Sequence, residues 1–316
     1  MVNVMERKKV MILGVCGFIG SNLAHRLCKE GYSVVGVDNL SGNSKENLTE
    51  LWDIPTFKFI MGDICDYVPA YGDIPDIVFN LASPASPKLY IDNPFPTMLA
   101  NGTGALKVIE WATKLNVMVI YTSTSEVYGD PEVSPQTEDL LGSLPLTSPR
   151  ASYDYSKQFA EVAHYQAKRT LGLDTRVLRL FNTYGPRMGK DDGRVISSFI
   201  FGAKDDGVIE VHGSGKQERS FMYIDDLLDA LCKCMEPDRG WDGALNLGKP
   251  FSTTIEDLAT MVQGMYPEAD ICYGPMYPDD PTNREPDIHK ARLLLDWFPM
   301  VELPEGLRLT NDWANK

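Results

Sequence analysis

Lys9-Val10-Met11-Ile12-Leu13 is an unbroken run of apolar and β-forming residues, the pattern of a strand buried on both faces of a parallel sheet. Gly14 to Gly20 then opens a segment in which Ile19, Leu23 and Leu27 recur at helical spacing, with Gly31 placed as a C-terminal cap. Ser33 to Val37 predicts a second strand that ends at Asp38. Further strand-like runs lie at 57–60, 77–81, 117–121 and 176–180, and helical patterns at 101–114 and 153–171. Strand–helix alternation with short turns predicts an α/β fold built on a doubly wound parallel sheet. After about Phe181 the texture becomes irregular over 182–220 and 253–304, while 223–235 and 244–247 predict a helix and a last strand returning to the first unit. The expected division is a larger unit over 1–181 completed by 223–250, and a smaller C-terminal α/β lobe over 182–222 and 251–316.

Charge removes several function classes. The 316 residues carry 30 Lys+Arg against 44 Asp+Glu, a net charge of −14, and no run of five basic residues, so a nucleic-acid footprint is not expected. No apolar stretch approaches the roughly 18 residues of a membrane span, and 1–9 is polar rather than leader-like, so no membrane partner and a cytoplasmic location are expected. The six cysteines show no metal spacing and the four histidines are scattered, which predicts reduced thiols and no metal. A chain this acidic must gather its arginines at one place if it binds an anionic ligand.

The glycine loop supplies the first chemistry. Gly14-x-x-Gly17-x-x-Gly20 follows a strand, opens a helix, and has Asp38 at the end of the next strand, 18 residues beyond Gly20. Such a loop lets backbone amides approach a pyrophosphate at a helix N-terminus, and the acid binds a ribose 2′-hydroxyl while repelling a 2′-phosphate. This predicts a Rossmann-type site for NAD rather than NADP. Tyr153-Asp154-Tyr155-Ser156-Lys157 places a Tyr and a Lys on one helix face, and a lysine cation beside a phenol favours the phenolate. A lone Y-x-x-x-K is common on solvated helices; its position after the fifth strand of a dinucleotide-binding chain makes Tyr153 a candidate general base. The run Tyr121-Thr122-Ser123-Thr124-Ser125-Glu126-Val127-Tyr128-Gly129 sets hydroxyls directly after an apolar strand, at the sheet edge where ligands bind. Taken alone, such a cluster is as well explained by a turn or a helix cap.

These residues resemble the extended short-chain dehydrogenases/reductases that act on nucleotide sugars, and among them the UDP-glucuronate decarboxylase (UDP-xylose synthase) family. The resemblance spans nearly the whole chain: GFIGSNL at 17–23, DNLSG at 38–42, NLASPASP at 80–87, TSEVYGDPEVSPQTED at 124–139, FNTYGPRM at 181–188, DGRVISSFI at 192–200, GSGKQERSFMYIDDL at 213–227 and REPDI at 284–288. It implies NAD contacts from Gly14, Gly17, Phe18 and Ile19, from Asp38 and Asn39, from Asp63 and Ile64, from Leu81, Ala82 and Ser83, and from Tyr153 and Lys157. It implies catalytic roles for Thr124, Ser125, Glu126, Tyr153, Lys157 and Arg284. Candidate substrate contacts are Asn182, Arg194, Arg219 and Arg284, with Arg284 beside the sugar carboxylate. A homodimer through a four-helix bundle of the 101–114 and 153–171 helices is the further implication. The chain departs from the family pattern at Val15-Cys16, at Asn80 and at Tyr155-Ser156. The alternatives are a nucleotide-sugar 4,6-dehydratase, to which Ser125 offers no strong acid, a 4-epimerase, which usually lacks the glutamate, and a non-catalytic NAD-binding regulatory protein.

Overall fold

The computed structural model describes residues 8–42, 45–131, 133–140, 142, 145–237, 240–276 and 283–316; most of the polar N-terminal segment and Glu132 of the motif at 124–139 lie outside the described residues. The strands are β1 (Lys9–Leu13), β2 (Ser33–Asp38), β3 (Phe57–Met61), β4 (Ile77–Asn80), β5 (Met118–Thr124), β6 (Thr175–Leu180), β7 (Thr183–Tyr184), β8 (Val208–His212), β9 (Glu218–Ser220), β10 (Met222–Tyr223), β11 (Ala244–Leu247), β12 (Ser252–Thr254), β13 (Asp270–Gly274) and β14 (Asn283–Arg284). The α-helices are α1 (Phe18–Lys29), α2 (Pro87–Asp92), α3 (Pro94–Leu99), α4 (Ala105–Leu115), α5 (Ala151–Leu171), α6 (Val195–Phe201), α7 (Ile224–Lys233), α8 (Ile255–Met265), α9 (His289–Leu295) and α10 (Leu303–Ala314). Seven strands form one sheet in the order β11-β6-β5-β4-β1-β2-β3, and every pairing in it is parallel. The order reverses between β1 and β4, so a crevice opens there at the carboxyl ends of the strands.

The sheet is buried on both faces, as the continuous apolar runs require. Val10 to Leu13 are at most 1% exposed, and β4 and β11 are buried throughout. In α1 the packed stripe is Phe18, Leu23, Ala24 and Leu27, with Ile19 only half-buried. Glu30 caps its end and Gly31 follows at φ 87°. Val15 of the glycine loop is accommodated by Gly36 on β2, where a Cβ would stand 2.7 Å from the Val15 methyls.

The helix expected over 101–114 begins earlier and is not uniform. α3 runs through a π-type turn, Ala100–Gly104, into α4. Gly104 packs against Ile64, whose Cγ2 lies 2.7 Å from where a Cβ would sit, and the two weak helix formers Gly102 and Gly104 tolerate the wider turn. α5 starts two residues ahead of the predicted helix, and Arg150 stands at its N-cap.

Beyond β6 the chain builds smaller sheets, β10-β7, β12-β9-β14 and β13-β8. In the middle one β14 lies parallel to β9, with Arg284 opposite Arg219. Among the described residues no helix is long and apolar enough to cross a membrane.

Candidate active site

A cleft of about 1400 Å³ opens along the carboxyl edge of the large sheet, above the roughly 300–1,000 Å³ of a single small-ligand pocket. Its lining runs from the glycine loop, past the end of β5, to β9 and β14.

The glycine loop has the shape a dinucleotide needs. Gly14 adopts φ 83°, and a Cβ there would stand 2.9 Å from the Ala82 backbone. At Gly20 a Cβ would meet the Gly14 carbonyl at 2.2 Å, so only glycine lets α1 approach β1 this closely. Gly17 starts α1 without a side-chain cap and no acid occupies the first turn, which leaves the helix's positive end to an anionic ligand. Asp38 ends β2, its carboxylate held by the Cys16 N–H at 2.9 Å and the Leu40 N–H at 2.8 Å. Asn39 donates to Asp63 at 2.7 Å, and Ile64, Leu81, Ala82 and Ser83 continue the same wall. These residues fit NAD: a phosphate cradle that a Cβ would fill, and a fixed acid at the end of the next strand. Burial pushes the Cys16 thiol up to about 12, so it is inert within the loop.

The middle of the cleft holds Tyr153 and Lys157, both on α5 and both about 5% exposed or less. Lys157 Nζ donates to the Thr122 carbonyl at 2.9 Å and lies 5.0 Å from the Tyr121 ring and 5.8 Å from the Tyr153 ring. Thr124 ends β5; its hydroxyl bonds Tyr153 and accepts the Glu126 N–H at 3.1 Å. Tyr90 of α2 stacks on Tyr153, centroids 4.7 Å apart. Burial dominates both groups, raising Tyr153 above its usual value despite the Thr124 bond and lowering Lys157 to about 7.

At the far end two arginines converge on one carboxylate. Arg284, 2% exposed, reaches Glu126 at 3.1 Å, the Ser125 hydroxyl at 3.3 Å and the Gly129 carbonyl at 2.8 Å. Arg150 bonds the other oxygen of Glu126. Burial works to raise Glu126, but Arg284, Arg150 and Arg219 together hold it below the usual carboxylate range. Glu126 is therefore an anion, and Arg284 is not left unpaired when no ligand carboxylate is present. Glu126 is thus an acceptor, and Arg284 keeps a partner even with a neutral sugar in the cleft.

Every predicted site residue lines this one cleft. Arg194 is clamped by Asp192 at 2.6 and 2.8 Å and lies 5.9 Å from the centre of the Phe18 ring. Arg219, on β9, donates to its neighbour's carbonyl at 2.8 Å, and Asn182 sits half-buried after β6. Arg150, Tyr90 and the buried Asp154, pushed up to about 7 by burial and Glu126, are not singled out by the sequence. The departures are absorbed locally. Asn80 is buried and its carbonyl accepts Thr122 at 3.2 Å, while Ser156 accepts Asn101 at 3.0 Å and donates to the Tyr153 carbonyl at 3.0 Å. Among the described residues there is no group of metal-ligating side chains.

Fold, glycine loop and Tyr–Lys pair together define an NAD-dependent enzyme of sugar chemistry, and the chain belongs to the NAD dependent epimerase/dehydratase family, whose model matches residues 10–248. It is 40% identical over 312 residues to UDP-glucuronic acid decarboxylase 1 of Danio rerio, which covers 98% of this chain and 73% of that protein. UDP-glucuronic acid decarboxylase 6 of Arabidopsis thaliana is 39% identical, covering 96% of this chain and 88% of that one. Among solved structures, the UDP-glucuronic acid 4-epimerase of Bacillus cereus in complex with UDP-glucuronic acid and NAD superposes with a TM-score of 0.88 at 28% identity, covering 97% of this chain and 99% of that one.

Proposed function

We propose that the protein decarboxylates UDP-glucuronate to UDP-xylose through a 4-keto intermediate, with NAD recycled. The observation that carries this reading is the charge balance at the sugar end of the cleft: Arg150 and Arg284 share the single carboxylate of Glu126, leaving one cation for an anionic group on the ligand. A 4-epimerase of the same acidic sugar shares that need, as the Bacillus cereus relative illustrates, and the product distinguishes the two.

Bound NAD supplies a hydride acceptor that also returns the hydride. Tyr153, bonded to Thr124, takes the proton of the sugar 4′-hydroxyl as C4′ is oxidised. Lys157, anchored on the Thr122 carbonyl, favours the Tyr153 phenolate when it is in its ammonium form, and would hold the nicotinamide ribose. Arg284 turns from Glu126 to the C6′ carboxylate, while Arg150 keeps Glu126 ionised. The 4-keto sugar is then a β-keto acid. Its C5′–C6′ bond breaks, CO2 leaves, and the electron pair passes into the C4′ ketone as an enolate. Water ordered by Ser125 and Glu126 delivers a proton to C5′. Reduction of C4′, with Tyr153 returning its proton, completes the pentose. Asn182, Arg194 and Arg219 are the proposed contacts to the uridine diphosphate.

In this reading residues 1–181 with 223–250 bind NAD, and 182–222 with 251–316 bind the nucleotide sugar. We place it as a homodimer. α3, α4 and α5 expose Phe95, Met98, Leu99, Leu106, Phe159 and Val162, each 47–76% accessible, an apolar surface suited to a four-helix contact about a two-fold axis. A cytoplasmic location accords with its six unpaired cysteines. The test is incubation with UDP-glucuronate and NAD, with CO2 and the nucleotide sugar both quantified. Release of CO2 with formation of a UDP-pentose supports the proposal; UDP-galacturonate without CO2 makes it an epimerase.

A further inference from the structure

Arg284 acts in the cleft, but its main chain belongs to the short strand β14, beyond the large sheet. Besides its pairing with β9, that strand is held by Gln136, a fully buried residue in the loop after the Ser125–Tyr128 turn. Its main-chain N–H donates to the Glu285 carbonyl at 2.8 Å, and its side-chain Oε1 accepts the Glu285 N–H at 2.9 Å. Both main-chain groups of the residue next to Arg284 are thus bound to one glutamine. The Gln136 carbonyl accepts the Asp287 N–H at 2.8 Å and Asn246 Nδ2 at 2.9 Å, and its Nε2 donates to the Val133 carbonyl at 2.9 Å. Asn246 in turn accepts the Tyr128 hydroxyl at 2.8 Å, which closes the network back onto the turn that carries Glu126.

We propose that Gln136 is a positioning residue that sets Arg284, and so sets the preference of the site for an acidic over a neutral nucleotide sugar. The proposal rests on the reading of Arg284 as partner of the sugar carboxylate. Every polar contact of the guanidinium given above goes to residues 125–129, so its reach is fixed at both ends by one loop: Ser125, Glu126 and Gly129 hold the tip, and Gln136 holds the root. Loosening the root lets the strand drift relative to the cleft, and a displacement near 1 Å at a charged contact is costly. Gln136 is not part of the cleft lining, so its effect must pass through the groups it holds, of which the Arg284 strand is bound on both main-chain groups of Glu285.

The test uses the NAD-loaded protein in a Tyr153→Phe background, which suppresses turnover, and three probes, UDP, UDP-glucose and UDP-glucuronate, titrated calorimetrically with Gln136 and Arg284 intact, with Gln136→Met and with Arg284→Gln. Methionine keeps the volume and removes both amide partners. Gln136→Met is expected to weaken UDP-glucuronate binding about tenfold while UDP and UDP-glucose change by less than about twofold. With Tyr153 intact, KM for UDP-glucuronate should rise more than kcat falls. An equal loss for all three probes means a merely structural role and overturns the proposal. So does an unchanged acid preference in Gln136→Met when Arg284→Gln has lost it. If Arg284→Gln itself keeps the preference, the reading of Arg284 is wrong and the proposal falls with it. Should Gln136→Met fail to fold, Gln136→Asn, which withdraws the amide by one methylene, carries the same expectation.

Discussion

Replacing Lys157 by methionine should stabilise the nucleotide-free protein while destroying its activity. Lys157 is 4% exposed, and burial lowers it from 10.5 to about 7, with Glu161 the opposing influence. Because its folded value lies below the unfolded one, the fold bears the cost of a buried ammonium in full below about pH 7 and sheds it as pH rises toward 10.5. Every pH unit separating the folded from the unfolded value corresponds to about 1.4 kcal/mol, which sets a ceiling near 5 kcal/mol. Removing the ammonium also leaves the Thr122 carbonyl without its donor, a loss of about 1–2 kcal/mol. Net stabilisation is therefore about 3 kcal/mol near pH 6.5, or roughly 5 °C in Tm for a chain of this size. The assay is thermal unfolding of NAD-stripped wild type and Lys157→Met at about pH 6.5 and about pH 9.5. The gap should favour the variant at the lower pH and narrow at the higher. A variant that melts below wild type at pH 6.5, or a gap indifferent to pH, would refute the desolvated-lysine argument. Turnover of the variant should fall at least about 10²-fold, as the loss of an acid–base partner does.

Other perturbations probe separate parts of the site. Tyr153→Phe should lower turnover by about 10²–10⁴-fold with substrate affinity little changed, measured by steady-state kinetics and product analysis. Gly14→Ala forces a Cβ to 2.9 Å from the Ala82 backbone at φ 83°, so it should cost about 1–3 kcal/mol of stability and abolish NAD retention, read by Tm and by cofactor absorbance after gel filtration. Light scattering at micromolar concentration should give twice the chain mass, and Phe159→Glu should shift it toward the monomer; a wild type that stays at 35.2 kDa would remove the dimer.

Much of this arrangement is legible in the chain because it rests on local rules. Val10 to Leu13 is a double-sided apolar run, and such runs belong in parallel sheets; Gly14, Gly20 and Gly31 stand where a Cβ or a negative φ is not tolerated, or where a helix must end. Asp38 is legible from its distance to the glycines, and Arg284 from the motif around it. Arg150 is not, since an arginine ahead of a helix looks like any surface cation until the fold brings it to Glu126. Its place three residues before Tyr153, in the turn that opens the catalytic helix, is the available signal. Gln136 lies inside the motif at 124–139, but its role leaves no signal there, because its bonds to Asn246 and Glu285 span 110 and 149 residues of chain. Periodicity sets Tyr153 and Lys157 on one face, yet the depth of their burial, which decides their protonation, depends on Tyr90 and Tyr121 packing from other elements.

The central claim is that the carboxylate of the sugar leaves while C4′ is oxidised and then restored within one active site. The most direct measurement is the mass spectrum of the nucleotide sugar formed from UDP-glucuronate carrying deuterium at C4′, with catalytic NAD in ordinary water. The expected product is a UDP-pentose that has lost CO2 and kept the deuterium. A product of unchanged mass, a product that has lost water instead, or a pentose stripped of its label would contradict the claim.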